Sequence, residues 1–340
     1  MTDSSPTSAN RVVASDEQGD DADAISSALR PRDLEEFVGQ PELREQLGIA
    51  LEAARRRDEP LEHVLLKGPP GLGKTTLSNI IAKSMRGNLV TTSGPALERT
   101  ADLMGMLTGL QRGDVLFIDE IHRLPRPVEE YLYPAMEDGR VDFVLDKGPF
   151  ARSVQINLEQ FTLVGATTRA GMLSSPLRDR FGLLFDLEFY SSADLMLIVR
   201  RSAGLLGVRI EPEAAAEIGN RSRGTPRIAN RLLRRVRDYA VVKDRVTVDR
   251  ATVNDALAVA GVDARGLDRL DRRYLETLCD AYQGGPAGVQ AIASSMQQEV
   301  ETLEEMVEPF LLYAGFLLRT PQGRRASPKA FAHLQRAVAA

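Results

Sequence analysis

The chain contains few residues that support disulfide or transition-metal chemistry. Cys279 is the only cysteine in 340 residues, which excludes an intramolecular disulfide, and its apolar neighbours favour a buried thiol over a nucleophile. The three histidines, His63, His122 and His333, lack the spacing of metal ligands. We therefore predict no transition metal held by protein side chains.

Long apolar segments are also missing. No run of about 18 apolar residues occurs, which argues against a membrane-spanning helix. The N-terminus is acidic and polar and lacks the basic-then-apolar order of a signal peptide. Together with the lone cysteine, these absences predict a cytoplasmic protein that does not associate with a membrane.

The chain has a slight excess of negative charge, and its charges are unevenly distributed. The formal net charge is -5, a balance that by itself disfavours nucleic acid as a partner. Residues 1–24 carry six acids and one arginine, whereas residues 319–340 carry five Arg or Lys and no acid. A DNA contact near the C-terminus is therefore compatible with the acidic average.

The sequence divides into segments of different character. The acidic N-terminal segment has no periodicity, and we expect it to be disordered because it cannot offset the entropy cost of ordering its backbone. The predicted divisions are a tail at 1–25, a large α/β domain at 26–184, a small helical domain at 185–261, a winged helix at 262–336 and a tail at 337–340.

Short apolar runs alternate with helical patterns in the first domain. The predicted strands are His63–Leu66, Leu89–Thr92, Val115–Ile118 and Phe161–Ala166, and the helices between them include Thr75–Met85 and Val128–Met136. Such alternation is typical of an α/β domain whose parallel sheet is covered on both faces.

Helices dominate from about Ser191. Four are predicted in the small domain, at Ala193–Leu206, Glu213–Arg221, Thr225–Val242 and Val248–Val259. Three more follow at Asp268–Tyr282, Val289–Met296 and Glu299–Tyr313, and then a basic hairpin of Phe316–Thr320 and Arg324–Ala326 around Pro321-Gln322-Gly323. Three helices and a hairpin with a three-residue turn predict a winged helix-turn-helix.

A phosphate-binding motif, G-x-x-x-x-G-K-[ST], spans Gly68–Thr75 between a predicted strand and a predicted helix. Its glycines let backbone N–H groups turn toward phosphate oxygens, and the helix N-terminus adds positive charge. Lys74 is placed to reach the β and γ phosphates, and the Thr75 hydroxyl to bind Mg²⁺. The motif predicts ATP with Mg²⁺ as the ligand.

Polar residues end two of the predicted strands. Asp119 and Glu120 lie at the carboxyl end of a buried strand, where ligands bind in open α/β sheets. We expect Asp119 to hold hydrated Mg²⁺ and Glu120 to activate the attacking water as a general base. Thr168, preferred over Thr167, is the candidate that orients this water.

Arginines supply two further candidates. Arg178 and Arg180 share a short segment, and an arginine inserted at a neighbour's γ-phosphate can raise the rate about 10³–10⁵-fold, which implies an oligomer. Arg227 lies at a helix start where Thr225 can cap the helix and Pro226 fits the first turn. Its fixed position predicts that it reports the γ-phosphate to the helical domain.

This set of motifs resembles the AAA+ ATPases, and several longer phrases resemble the RuvB family of bacterial Holliday-junction branch-migration motors. The phrases include Phe37-Val38-Gly39-Gln40, Gly68–Thr76, Leu116–Leu124, Tyr133–Asp138, Ser175–Gly182 and Gly224–Val236. They extend over about residues 26–336, so the resemblance covers all but the tails.

The resemblance implies a homohexameric ring of three-domain subunits on duplex DNA. It further implies ATP-driven migration of a Holliday junction in recombination and DNA repair, with RuvA and a RuvC-type resolvase in the same complex. The residues 141–156 resemble the hairpin by which the family binds RuvA, although an ordinary surface hairpin is the alternative.

Residue roles also follow from the resemblance. Leu29 and Arg30 would border the adenine with Glu137, Asp138 and Gly139. Phosphates would be held by Gly71, Lys74, Thr75 and Thr76, while Tyr190 and Arg227 would close the site from the small domain. Arg180 resembles the finger presented to a neighbour, with Arg178 as competitor. Arg319 and Arg324 occupy the wing positions that would contact the DNA backbone.

Two other classes of function share part of this pattern. A clamp loader or a protein unfoldase has the same ATPase motifs, but an unfoldase is expected to carry an aromatic gripping loop and a loader a different C-terminal collar. A nucleotide-gated DNA-binding regulator would use the wing to recognise one site. Such a regulator should prefer one DNA sequence by well over tenfold, whereas a motor should not.

Overall fold

The computed structural model describes residues 28–144 and 153–336. The predicted tails at 1–25 and 337–340, and the tip of the hairpin around Asp146-Lys147-Gly148-Pro149, lie outside the described residues. None of the helices in the two described stretches is both long enough and apolar enough to cross a membrane.

The first domain is built on a five-stranded parallel sheet. Its strands are β1 (Val64–Lys67), β2 (Leu89–Ser93), β3 (Val115–Asp119), β6 (Thr162–Thr167) and β7 (Leu183–Asp186), in the spatial order β2-β3-β6-β1-β7. The predicted parallel sheet is confirmed. Strand β7 was not predicted; it is a four-residue edge strand in which only Phe185 is buried.

Helices cover both faces of this sheet. They are α1 (Pro41–Arg57), α2 (Lys74–Ser84), α3 (Thr100–Gly109), α4 (Arg126–Glu137) and the short α5 (Ser175–Arg178). Val64 and Leu66 of β1 face one apolar core, whereas Leu65 between them faces the other. All three side chains are fully buried. Because both faces of a parallel sheet are covered, its strands are apolar throughout.

An antiparallel hairpin projects from this domain. Strands β4 (Arg140–Val144) and β5 (Ser153–Asn157) pair with Val141 opposite Ile156, in agreement with the predicted hairpin at 141–156. The buried Val141 anchors the base of the hairpin to the domain.

The small domain consists of four helices. They are α6 (Ser192–Leu205), α7 (Pro212–Asn220), α8 (Pro226–Val242) and α9 (Arg250–Val259). Their apolar faces join the core on one side of the sheet, where Leu195 and Leu233 belong to the same cluster as Leu77 of α2. The small domain therefore shares one apolar core with the helix that follows the phosphate loop.

The C-terminal domain is a winged helix. It contains α10 (Arg269–Glu276), α11 (Val289–Met296), α12 (Val300–Thr302), α13 (Glu308–Tyr313), β8 (Leu317–Thr320), β9 (Gly323–Ala326) and α14 (Pro328–His333). The predicted continuous helices are interrupted by π-helical turns at Thr277–Ala281 and Leu303–Val307. These turns leave no mark in the apolar periodicity from which the helices were predicted.

The predicted length of the wing's hairpin turn, three residues, is wrong. Thr320 pairs with Gly323, so only Pro321 and Gln322 form the turn. Gly323 has φ 136°, and a Cβ at this position would lie 2.6 Å from the carbonyl oxygen of Ala287. The approach of Ala287, which forms a β-bridge with Arg324, draws the glycine into the strand.

Candidate functional site

The phosphate loop connects β1 to α2 at the carboxyl edge of the sheet. The strands β1, β3 and β6 end at this edge, so their last residues converge around the loop. Gly71 has φ 81°, and a Cβ there would lie 2.7 Å from Thr225 Cγ2 of the small domain. Glycine is therefore required both by the backbone and by this close approach.

A cavity of about 290 Å³ lies at this point, between the large and small domains. It contains eleven of the predicted nucleotide residues: Leu29, Arg30, Gly71, Lys74, Thr75, Thr76, Asp119, Glu120, Thr168, Tyr190 and Arg227. Residues from distant parts of the sequence thus line a single enclosed site.

Lys74 is the buried cation of this cavity. Its side-chain amine donates to the carbonyl oxygens of Gly68 at 2.7 Å and Pro69 at 2.9 Å. Burial lowers the pKa of Lys74 to about 8; the Asp119 carboxylate opposes this shift, and Arg227 adds to it. A lysine with this pKa is charged at neutral pH but loses its proton within the alkaline range.

The acids after β3 are held in different ways. Asp119 accepts a hydrogen bond from the backbone N–H of Glu120 at 3.0 Å, while the Glu120 carboxylate pairs with Arg123 at 3.1 Å. Glu120 has φ 48°, an uncommon conformation for a residue other than glycine. Such strain is often found where a side chain must be aimed at a reaction centre.

The two threonines that end β6 have different environments. The hydroxyl of Thr167 contacts His122 Nδ1 at 3.0 Å and accepts a hydrogen bond from the Arg169 N–H at 3.0 Å. The Thr168 hydroxyl is buried and has no hydrogen-bond partner within residues 28–144 and 153–336. A buried hydroxyl without a protein partner can bond to a phosphate oxygen or to a water. This favours Thr168 over Thr167 as the residue that orients the attacking water.

The small domain contacts the phosphate loop through two of the predicted residues. The Tyr190 hydroxyl donates to the Leu72 carbonyl oxygen at 3.1 Å, and burial raises the pKa of this phenol far above its usual range. The Arg227 N–H donates to the Gly71 carbonyl oxygen at 3.4 Å. Two hydrogen bonds thus connect the small domain to the phosphate loop.

The predicted cap by Thr225 is wrong in its chemistry. Thr225 occupies the N-cap position of α8 and Pro226 the first turn, as expected. The Thr225 hydroxyl, however, donates to the Arg223 carbonyl oxygen at 2.9 Å and accepts no bond from the helix. The preceding turn supplies a nearer partner than the helix does.

Sequence reasoning missed several residues of the cavity. Glu36, Asn230, Arg234 and Glu305 line it, and Arg201 donates to the Leu29 carbonyl oxygen at 2.9 Å. Arg201 and Glu36 also form an ion pair with each other. Asn230 and Arg234 lie in the arginine-rich segment Gly224–Val236, from which only Arg227 was singled out, whereas Glu36, Arg201 and Glu305 lie in none of the quoted motifs.

Models of protein families match the chain along nearly all of its length. The Holliday junction DNA helicase RuvB P-loop domain matches residues 29–187, the RuvB AAA lid domain matches 190–263, and the RuvB C-terminal winged helix domain matches 264–335. The chain belongs to the RuvB family. The predicted family and fold class are confirmed, and membership of this P-loop family implies nucleotide binding.

Curated relatives and a solved structure are similar over the same length. The chain is 57% identical to the Holliday junction branch migration complex subunit RuvB of Streptomyces griseus, over 96% of this chain and 90% of the relative. Identity with RuvB of Desulfosudis oleivorans is 56%, covering 95% and 94%. The Thermotoga maritima RuvB Holliday junction branch migration motor has a TM-score of 0.86 at 50% identity, covering 92% and 100%.

In this RuvB-family chain, the residues predicted to border the adenine lie in two places within one subunit. Glu137, Asp138 and Gly139 lie at the end of α4 and line a second, more open cavity, whereas Leu29 and Arg30 line the nucleotide cavity. The sheet separates the end of α4 from the segment before α1, and the sequence motifs carry no sign of this distance.

Arg180 belongs to the second cavity as well. Its guanidinium pairs with Glu137 at 3.1 Å, lies 4.2 Å from the centre of the Tyr133 ring and donates to the Pro176 carbonyl oxygen at 2.6 Å. The only ion pair of the Arg178 guanidinium with another described residue is a long one, 4.0 Å to Asp179. Of the two candidate fingers, Arg180 is the one whose position the fold determines.

The two wing arginines differ in exposure. Arg319 and Arg324 face each other across β8 and β9, and both pair with Glu308, at 2.6 and 2.9 Å respectively. The side chain of Arg319 is 53% exposed, whereas that of Arg324 is 14% exposed. Arg324 thus lies largely inside the domain, and the neighbouring Arg325 is exposed instead.

Proposed function

We propose that this chain hydrolyses ATP to drive Holliday junction branch migration in recombination and DNA repair. Its active form is a homohexameric ring in the cytoplasm, working with RuvA and a RuvC-type resolvase. The observation that carries the proposal is the single cavity in which Lys74, Glu120 and Thr168 of the large domain meet Arg227 of the small domain.

ATP fits the cavity by charge and by shape. Lys74 and the N-terminus of α2 supply positive charge, while Thr75 and Thr76 at the start of α2 offer hydroxyls and backbone N–H groups. Leu29 and Arg30 lie where an adenine ring would bind, and the buried Leu29 supplies an apolar surface.

The residues of the cavity also suit Mg²⁺. The hydroxyl of Thr75 and the carboxylate of Asp119 are oxygen donors of the kind that this ion prefers, and both line the cavity. When bound, Mg²⁺ neutralises negative charge on the transferring phosphoryl group.

The chain's own side chains perform the hydrolysis. Glu120 accepts a proton from the attacking water, and the unpartnered hydroxyl of Thr168 orients that water. Arg227 contacts the γ-phosphate and, because its backbone bonds to Gly71, links the nucleotide to the position of the small domain. The small domain then moves when the phosphate is lost.

The second cavity serves a neighbouring subunit. Arg180 is not part of its own nucleotide site, so it acts in trans, and Glu137, Asp138 and Gly139 accompany it to the nucleotide of the next subunit. A finger that completes a neighbour's site requires the closed ring.

The wing contacts DNA through phosphates. Arg319 is the predicted contact that its exposure supports most directly, and Arg325 lies beside it on β9. Arg324 contributes by holding Glu308 and thereby fixing the shape of the wing. Contacts to the DNA backbone do not depend on the base sequence, which suits a protein that moves along any duplex.

Two measurements test this proposal. Electron microscopy with junction DNA, RuvA and ATP should show rings on opposite arms. Binding to duplexes of random sequence should vary by less than about tenfold, because phosphate contacts dominate. A preference for one sequence well above that range would instead favour the regulator.

A further inference from the structure

Two acids of the winged-helix domain contact the ATPase domain beside the nucleotide cavity. Glu304 and Glu305 lie in the π-helical turn Leu303–Val307. The Arg169 guanidinium pairs with Glu305 at 3.0 Å and with Glu304 at 3.4 Å. These three side chains are only about a quarter to a third exposed, at 25% for Arg169, 27% for Glu305 and 30% for Glu304, so solvent screens them less than a surface pair.

The contact reaches the nucleotide cavity itself. Arg169 directly follows Thr168, and Glu305 lines the cavity together with Lys74 and Glu120. Among the charges that act on Lys74, the Glu305 carboxylate is one that raises its pKa, against the larger lowering by burial. A residue from the third domain therefore contributes negative charge to the site.

The same turn is connected to the wing. Glu304 pairs with Arg324 at 2.9 Å through its other oxygen, and Arg324 pairs with the buried Glu308, which also holds Arg319. A continuous series of ion pairs thus runs from the end of β6 to the proposed DNA-binding hairpin.

We infer that Glu305 discriminates between nucleotides by competing with the γ-phosphate, so that ATP weakens the contact between Glu305 and Arg169 whereas ADP leaves it in place. The inference rests on the proposed nucleotide site. A γ-phosphate next to Lys74 and Thr168 brings added negative charge close to the Glu305 carboxylate, and like charges at partly buried positions repel strongly. The winged-helix domain is thereby released from Arg169, the residue that follows Thr168 after β6, when ATP binds.

Reciprocity makes the inference measurable. If ATP weakens the Glu305 contact, then by linkage the contact weakens ATP binding, and loss of the Glu305 charge should strengthen it. Coupling between sites is typically about 5-fold or more, so we expect a gain of about 5-fold for ATP and less than about 2-fold for ADP.

The experiment compares Glu305→Gln with Glu301→Gln in the full chain. Glu301 lies on α12, is exposed and forms no ion pair within the described part of the chain. Glu301→Gln therefore removes the same charge but leaves the ion pair between Glu305 and Arg169 in place. Affinities for a non-hydrolysable ATP analogue and for ADP are measured with Mg²⁺ by calorimetry. Only Glu305→Gln should bind the analogue more tightly, with the ADP affinity unchanged.

Hydrogen exchange supplies a second readout in the unaltered protein. The amides of Leu303–Val307 should exchange faster with the ATP analogue than with ADP. Equal exchange, or equal gains for ATP and ADP in Glu305→Gln, would overturn the inference while leaving the nucleotide site intact. A chain that binds neither nucleotide would contradict both the inference and the proposed function.

Discussion

Arg180 donates to the carboxylate of Glu137 at 3.1 Å, outside the nucleotide cavity of its own subunit. The Tyr133 ring and the Pro176 carbonyl oxygen hold the same guanidinium from two other directions. In the proposed ring, an arginine positioned in this way would leave Glu137 to meet a neighbour's γ-phosphate from an already ordered segment.

Replacement of Arg180 should therefore affect hydrolysis and spare binding. We expect Arg180→Ala to lower kcat for ATP by about 10³-fold, since a finger in trans stabilises transition-state charge. The affinity for ATP should change little, and Arg178→Ala should stay within about threefold of the unaltered protein.

Mixed rings provide the control for this prediction. Subunits with Arg180→Ala and subunits with Glu120→Gln are each inactive alone, but in a mixed ring some interfaces contain both intact residues. Mixing should restore part of the ATPase activity. If mixing restores none, Arg180 does not act on a neighbouring subunit.

The affinity for ATP should fall at alkaline pH because of Lys74. The charged amine binds phosphate, and its pKa of about 8 means that the charge is lost as the pH rises above that value. We expect the affinity to fall about tenfold per pH unit above about pH 8. Lys74→Arg stays charged over this range. We expect this variant to bind ATP more weakly, with an affinity that does not change between about pH 7.5 and about pH 9.5. A flat profile for the unaltered protein would show that Lys74 keeps its ordinary pKa.

A side chain at Gly71 should separate the small domain from the phosphate loop. Gly71→Ala places a Cβ 2.7 Å from Thr225 Cγ2 at a positive φ, so stability should fall by about 1–3 kcal/mol. The affinity for ATP should fall by about tenfold. Gly105→Ala is the matched control, because Gly105 lies inside α3 with open space around it, and alanine there should stabilise by up to about 1 kcal/mol. Denaturant unfolding of the two variants compares them directly.

The buried Glu308 should be essential for the winged helix. Its carboxylate is fully buried and receives bonds from Arg319, Arg324 and the Tyr274 hydroxyl. Glu308→Gln removes the carboxylate that Arg319 pairs with and leaves Arg324 with Glu304 alone, so the domain should lose about 3–5 kcal/mol of stability. Hydrogen exchange in α13 measures this loss, and Glu301→Gln should show none. An equal effect of the two substitutions would mean that the buried ion pairs are unimportant.

Local motifs account for the part of the site that sequence could predict. Lys74, Asp119 and Thr168 were recognisable because each closes a strand or opens a helix at the same edge of a parallel sheet. The chemistry of phosphate binding constrains residues that are neighbours in sequence, and such constraints leave readable patterns.

The remaining features depend on packing between distant segments. Glu137 was placed with the adenine, although the fold puts it beside Arg180. Arg324 was expected on the DNA surface, but Glu308, sixteen positions earlier, holds it within the domain. No pattern in the sequence indicates that Glu305 lines the nucleotide cavity, because its position depends on how the third domain packs against the first.

The central claim is that hydrolysis in this cavity moves a DNA junction. The most direct test follows migration of a synthetic Holliday junction by the protein with RuvA, ATP and Mg²⁺, beside the Glu120→Gln variant. The unaltered protein should migrate the junction only with ATP, and Glu120→Gln should bind ATP and form rings without moving it. Robust migration by Glu120→Gln, or migration without ATP, would contradict the account.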